Sequence, residues 1–222
     1  SQIELRVLAH IADDKTMIEA FKNNEDIHRV TASQVLGIPP EQVTKQQRSS
    51  AKAVNFGIVY GIGEYSLSQD LKIPVKQAKE YIKNYLEKYS GVKKYMEDIK
   101  DFARKNGYVK TLMNRIRYIP EITSSNFNVR AFGERVALNT PVQGTAADII
   151  KLAMVRIYRR LKDGGFKSKL ILQVHDELII ETYTEEKTAV EKILREEMEG
   201  AASLSVPLAV DMSEGKSWYD AK

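Results

Sequence analysis

Four side chains set four residues apart, Arg48, Lys52, Phe56 and Tyr60, constrain this chain more than any other feature, and Gly57 and Gly61 stand beside the last two. A step of four residues turns an α-helix by about 400°, so each side chain lies about 40° around from the one before. Together they make one stripe about 18 Å long at about 1.5 Å per residue. The stripe passes from two cations, through a flat ring, to a second ring. A nucleoside triphosphate has the same polarity and a similar length, with phosphates at one end and sugar and base at the other. Ala51, Val54 and Ile58 mark a separate apolar stripe that can anchor the helix to a core. An isolated R-x3-K would read as a solvated basic face, but its continuation into two glycine-flanked aromatics is a much rarer pattern.

Local signals place this helix among others. Thr44-x-x-Gln47 has the form of a capping box, so the helix should start just before Arg48, and Gly61 and Gly63 should end it. Asp26–Leu36 reads as a helix stopped by Gly37 and the Pro39-Pro40 pair. Ile3–Ile11 reads as the end of a strand passing into a short helix. Val75–Tyr89 and Val92–Asn106 are amphipathic and lysine-rich, and a hairpin of Tyr108–Leu112 and Arg117–Ile119 should turn around Asn114. Phe127–Asn139 looks helical up to a break at Pro141, and a second helix, Ala146–Lys162, stops at Gly164-Gly165. Leu170–Val174 and Leu178–Glu181 are apolar strands around a tight tip, His175-Asp176-Glu177. Helix Glu185–Glu199 and strand Val206–Asp211 finish the chain. Helices followed by a β-hairpin with packed helices indicate an α+β fold, mostly helical with a short antiparallel sheet.

Composition narrows the function classes. The net charge is +4, but residues 72–117 carry thirteen Lys or Arg against five Asp or Glu, whereas residues 176–200 carry nine acids against three bases. A basic lobe facing an acidic one suits a protein that holds phosphates on one side and metal ions on the other. The chain has no cysteine, which excludes disulfides and thiolate metal sites, and three dispersed histidines argue against structural zinc. No G-x4-G-K-[ST] segment marks a phosphate-binding loop. No signal peptide or apolar run near 18 residues is evident, so no membrane association and a cytoplasmic location are expected.

Three segments in order carry a resemblance. The pattern R-x3-K-x3-F-G-x2-Y-G resembles the fingers-helix motif of family A DNA polymerases. Ser1-Gln2-Ile3-Glu4-Leu5-Arg6-Val7-Leu8-Ala9-His10 looks like the family's first palm motif without its first two residues, and Gln173-Val174-His175-Asp176-Glu177 looks like its second palm carboxylate motif. The likeness runs from residue 1 to about 222. It implies a partial polymerase domain: residues 1–22 palm, 23–128 fingers and 129–222 palm. Its reaction would transfer deoxynucleotides from dNTPs to a primer 3′-hydroxyl on a DNA template, by two-metal chemistry with Mg²⁺, in replication or repair.

The resemblance assigns roles position by position. Asp176 would bind the metal and Glu177 assist it; Asp-Glu at a hairpin tip is, on its own, ordinary turn chemistry. Arg48 and Lys52 would hold the triphosphate, with Lys52 also protonating the departing pyrophosphate, and His28 would contact the triphosphate too. Phe56 would flank sugar and base, and Tyr60 would stack at the template position. Glu4 would close the sugar pocket against a ribose 2′-hydroxyl. Arg135, Asn139 and Gln143 would touch the duplex near the primer end and His175 the primer terminus. The family's other metal-binding Asp lies two residues before the position that Ser1 matches. The 222 residues alone are therefore expected to be inactive until a preceding piece supplies that Asp, the thumb and the rest of the palm. A start at Ser1 fits a split gene, with an intein junction among the options because splicing needs Cys, Ser or Thr there; it equally fits a fragment or removal of a methionine. The competing reading is a noncatalytic DNA-binding fragment or remnant of the same fold.

Overall fold

The computed structural model describes residues 2–221; Ser1, on which the splicing expectation rests, lies outside them. The order is α1 (Ile3–Ile11), α2 (Lys15–Lys22), α3 (Ile27–Leu36), α4 (Lys45–Val59), α5 (Glu64–Leu71), α6 (Val75–Lys88), α7 (Ser90–Asn106), β1 (Tyr108–Lys110), β2 (Ile116–Tyr118), α8 (Phe127–Asp163), β3 (Lys169–Val174), β4 (Glu177–Glu181) and α9 (Lys187–Glu199). The fold is α+β, and among the described residues its strands form two antiparallel hairpins, β1–β2 and β3–β4. One apolar core draws Leu5, Leu8, Phe21, Val54, Ile58, Tyr85, Val142, Ile149 and Val190 from six helices.

Several helix ends follow from the residue placed there. Gly37 and Gly107 stop α3 and α7 in the left-handed region, at φ 66° and 75°. The segment that reads as strand and helix, Ile3–Ile11, is helical throughout. Ile3, Leu5 and Val7 alternate like a strand, but Leu5, Val7, Leu8 and Ala9 are all buried, and a segment covered on most sides loses its period. Two short helices, α2 and α5, were not marked by the sequence. Asp14 organises the first of them. One of its oxygens accepts from Met17 N at 2.9 Å, while the other accepts from Gly91 N at 2.9 Å and Val92 N at 3.3 Å at the start of α7. Gly91 permits this approach, since a Cβ there would lie 2.8 Å from Ala12 O.

The expected break at Pro141 does not occur. Helix α8 runs unbroken for 37 residues with Pro141 inside it. Proline withdraws one N–H and costs roughly 3 kcal/mol in a helix interior. Burial of Ala137, Leu138, Val142, Ala146 and Ile149 on both sides opposes that cost, at about 1.5–3 kcal/mol for each large side chain. The Tyr95 hydroxyl also donates to Leu138 O at 3.0 Å, in the turn that proline leaves short of a donor.

The expected hairpins form, and β3–β4 sets the geometry of its tip. Val174 pairs with Glu177, so Glu177 lies in the strand and His175-Asp176 alone make the two-residue turn. His175 adopts φ 53° there. The expected strand Val206–Asp211 is irregular. Its backbone groups are met by side chains instead: Arg6 donates to Pro207 O at 2.6 Å, Arg195 to Val210 O at 3.4 Å, and Glu199 accepts from Val210 N at 3.3 Å. Apolar alternation makes a strand only where a neighbouring strand offers a ladder.

Candidate nucleotide and DNA site

Helix α4 begins as its sequence dictates. The Thr44 hydroxyl accepts from Gln47 N at 3.2 Å, and Gln47 Oε1 accepts from Thr44 N at 2.9 Å. Burial of Ala51, Val54 and Ile58 fixes the rotation of the helix. The stripe then lies at the edge of the core: Arg48 half-buried, Lys52 exposed, Phe56 and Tyr60 half-buried. Lys52 has no ion-pair partner among the described residues.

The end of α4 explains both glycines. Gly61 N donates to Ile58 O at 2.9 Å and Ile62 N to Gly57 O at 2.8 Å, the bond pair of a Schellman cap, with Gly61 at φ 77°. A Cβ on Gly61 would sit 3.0 Å from Leu138 Cδ1 and 3.4 Å from Arg135 Cγ. The Tyr60 end of the stripe therefore meets α8 beside Arg135, and Gly57, Tyr60, Ile62, Ser66 and Arg135 line an open cavity of about 480 Å³.

Helix α3 supports the stripe from the side. Asp26 binds Arg48 Nε at 2.5 Å and accepts from His28 N at 3.1 Å and Arg29 N at 3.2 Å. Its carboxyl is held below the usual range: burial opposes the shift, and the Arg48 bond and the two backbone donors outweigh it. His28 is 1% exposed. Its Nδ1 lies 2.9 Å from Asn55 Nδ2, and its ring is 6.0 Å from Phe56, which is 6.0 Å from Tyr60. Burial, aided by Arg48 and Lys52 against the pull of Asp26, lowers the imidazole to about 4 and keeps it neutral. The structure thus holds His28 under the stripe rather than on its surface. Asp26 and Asn55 are neighbours of the stripe that the sequence does not mark; its one signal is Asp26 preceding an apolar run, as N-caps do.

On α8, Arg135, Asn139 and Gln143 follow at steps of four on one face. Arg135 and Gln143 are exposed, while Asn139 carries a buried Oδ1 with no partner among the described residues. A second cluster gathers at the β3–β4 tip. Asp176 is half-buried and has no hydrogen-bond or ion-pair partner among the described residues. Glu4, on α1, is pushed up by burial first and then by the negative charge of Asp176, so the two carboxyls lie within electrostatic reach of one another. Glu177 and His175 are exposed; Glu177 accepts from Trp218 Nε1 at 3.3 Å, a contact the sequence did not suggest. No group of three or more His, Cys, Asp or Glu able to hold a metal occurs among the described residues. A magnesium ion needs only one or two protein carboxylates beside substrate phosphates and waters, and an unpartnered Asp176 fits that limited demand.

The chain whose cation-to-aromatic stripe on α4 meets α8 at Gly61 has close counterparts among known proteins. The chain is 57% identical over its full length to DNA polymerase I of Bacillus subtilis and 55% identical to that of Caldicellulosiruptor bescii, spanning 25% and 26% of those proteins. It spans about a quarter of the length of the curated relatives it matches. A solved structure of the "POL domain of Pol1 from M. smegmatis complex with DNA primer-template and dNTP" superposes at a TM-score of 0.97, at 45% identity, over all of this chain and 39% of that one. Among the described residues no helix is long and apolar enough to cross a membrane. The model of DNA polymerase family A matches residues 1–220, and the chain belongs to that family.

Proposed function

We propose that these residues form part of a DNA-directed DNA polymerase, a cytoplasmic bacterial enzyme that adds deoxynucleotides to a primer 3′-hydroxyl on a DNA template. The observation that carries the reading is the join at Gly61, where the Arg48–Lys52–Phe56–Tyr60 stripe of α4 meets the Arg135–Asn139–Gln143 face of α8. Residues 23–128 act as fingers around the incoming dNTP, and residues 1–22 and 129–222 as palm.

Arg48 and Lys52 bind the triphosphate, and Lys52, exposed and without an ion-pair partner among the described residues, supplies charge and a proton to the leaving pyrophosphate. Phe56 packs against sugar and base, and Tyr60 occupies the template position beside Arg135. Neutral His28 and Asn55 hold Phe56 in place beneath the nucleotide. Arg135, Asn139 and Gln143 read minor-groove acceptors common to all base pairs, which reports pair geometry rather than sequence. Glu4 borders the sugar and excludes a 2′-hydroxyl, and His175 contacts the primer terminus. Asp176, with Glu177 beside it, would hold Mg²⁺. When bound, two such ions activate the 3′-hydroxyl and neutralise the pyrophosphate. The second carboxylate, the thumb and the remaining palm come from residues outside this sequence, and the greater length of the relatives is what supports this division.

The test is primer extension with Mg²⁺ and all four dNTPs. Residues 1–222 alone are expected to give no product, and a preceding piece that ends in the missing carboxylate to restore synthesis. Magnesium-dependent dNTP binding by the chain separates this reading from a noncatalytic DNA-binding remnant, which would bind duplex without it. Robust extension by the 222 residues alone would overturn the division of the site.

A further inference from the structure

Arg48 reaches the stripe already engaged. Its Nε meets Asp26 Oδ2 at 2.5 Å, while its two terminal nitrogens make no hydrogen bond among the described residues. Asp26 Oδ1 is occupied by His28 N and Arg29 N at the start of α3. One carboxylate thus closes a helix end and grips a cation on the neighbouring helix. The second α3–α4 link, His28 to Asn55, lies seven residues further along α4, two helical turns and about 10 Å away. Two links at that separation fix the rotation of α4 against α3, and rotation decides where the stripe points. A carboxylate beside a triphosphate site is electrostatically unfavourable, so its place here calls for a compensating role. A guanidinium held by Nε presents its outer edge, and two parallel N–H donors on that edge match phosphate oxygens.

We propose that Asp26 is a positioning residue for nucleotide binding: by gripping Arg48 through Nε while capping α3, it holds the outer guanidinium edge toward the triphosphate. This rests on the triphosphate reading of the α4 stripe and deepens it. Asp26 touches no substrate and acts only through Arg48. Sequence gave no hint of the pair, since 22 residues and a loop separate the partners.

The experiment uses steady-state kinetics of a full-length polymerase carrying these residues, with dNTP as varied substrate. Asp26→Asn retains a side-chain oxygen for capping and loses the ion pair. KM for dNTP is expected to rise about tenfold with kcat changed less than about twofold, the signature of lost ground-state binding. Melting temperature should stay unchanged in Asp26→Asn and fall in Asp26→Ala, which also loses the cap. In an Arg48→Ala background Asp26→Asn should add nothing further, because the two act as one unit. An unchanged KM in Asp26→Asn makes the aspartate a cap only and overturns the proposal. A lowered KM makes it a competitor of the phosphates and also overturns it. The same rise in KM without Arg48 shows action by another route, with the same consequence. If Arg48→Ala by itself leaves KM unchanged, the triphosphate reading fails, and this inference with it.

Discussion

The α4 stripe and the β3–β4 tip hold the two halves of the proposed chemistry in opposite ways. Apart from the exposed Lys52, the stripe is tied within the chain: a reciprocal cap before it, a Schellman cap after it, Asp26 on Arg48, and His28, bonded to Asn55, beside Phe56. Asp176 at the tip has no hydrogen-bond or ion-pair partner among the described residues, and Ile171 and Leu172 on the same hairpin are 57% and 46% exposed. Cations for a flexible, multiply charged ligand gain from being oriented before it arrives. A metal carboxylate gains from convergence with others, which one hairpin cannot supply. In the proposed function, nucleotide recognition is therefore a local property of this chain, and metal binding a property of the larger assembly.

The comparison can be broken most easily at the tip. Asp176→Ala in a complete polymerase is expected to lower turnover by about a thousandfold or more, with duplex affinity changed less than about threefold. Single-turnover extension and a filter-binding titration check both; a small loss of turnover would remove Asp176 from the metal site. Lys52→Ala should lower kcat/KM for dNTP by about ten- to a hundredfold, with losses in both constants, because its charge acts in ground and transition states. Equal and small effects of the two changes would erase the distinction between the regions.

Smaller effects sharpen it. His28 stays neutral in the folded chain down to about 4, against 6.5 when exposed. Between those values the unfolded state binds the extra proton, so this contribution is complete above about pH 6.5 and is lost as pH falls toward 4. The loss is at most about 3 kcal/mol, and less where water reaches the ring. Urea unfolding at several pH values should show the slope, and His28→Asn should flatten it. The smallest expected effect is Thr44→Ala, at about 1 kcal/mol of stability from the lost cap. Thermal unfolding reads that loss, and no change would mean that tertiary packing alone sets the start of α4.

Much of the stripe was legible in the residues. Thr44, Gln47, the step of four from Arg48 to Tyr60 and the closing glycine are short-range signals, and the helix in the structure runs from Lys45 to Val59 with both caps in place. Both hairpins were legible for the same reason, as turn chemistry between apolar runs. The site around them was only half legible: Arg48, Phe56 and Tyr60 stood out by spacing, whereas Asp26 and Asn55 carry no pattern that marks a neighbour on another helix.

What the sequence determined by itself is the set of features whose physics closes within one or two helical turns: caps, stops, amphipathic faces and the cation-to-aromatic polarity of the α4 stripe. Only the tertiary structure decided that Ile3–Ile11 is helical throughout, that α8 continues through Pro141 and that Val206–Asp211 forms no strand. It also decided that one Asp14 carboxylate caps two helices and that Glu4 comes within electrostatic reach of Asp176 from the other end of the chain. In each case the outcome depends on what a distant segment offers, a covering helix, a hydroxyl, a vacant donor or a like charge, and such pairings carry no periodicity that a linear pattern can record.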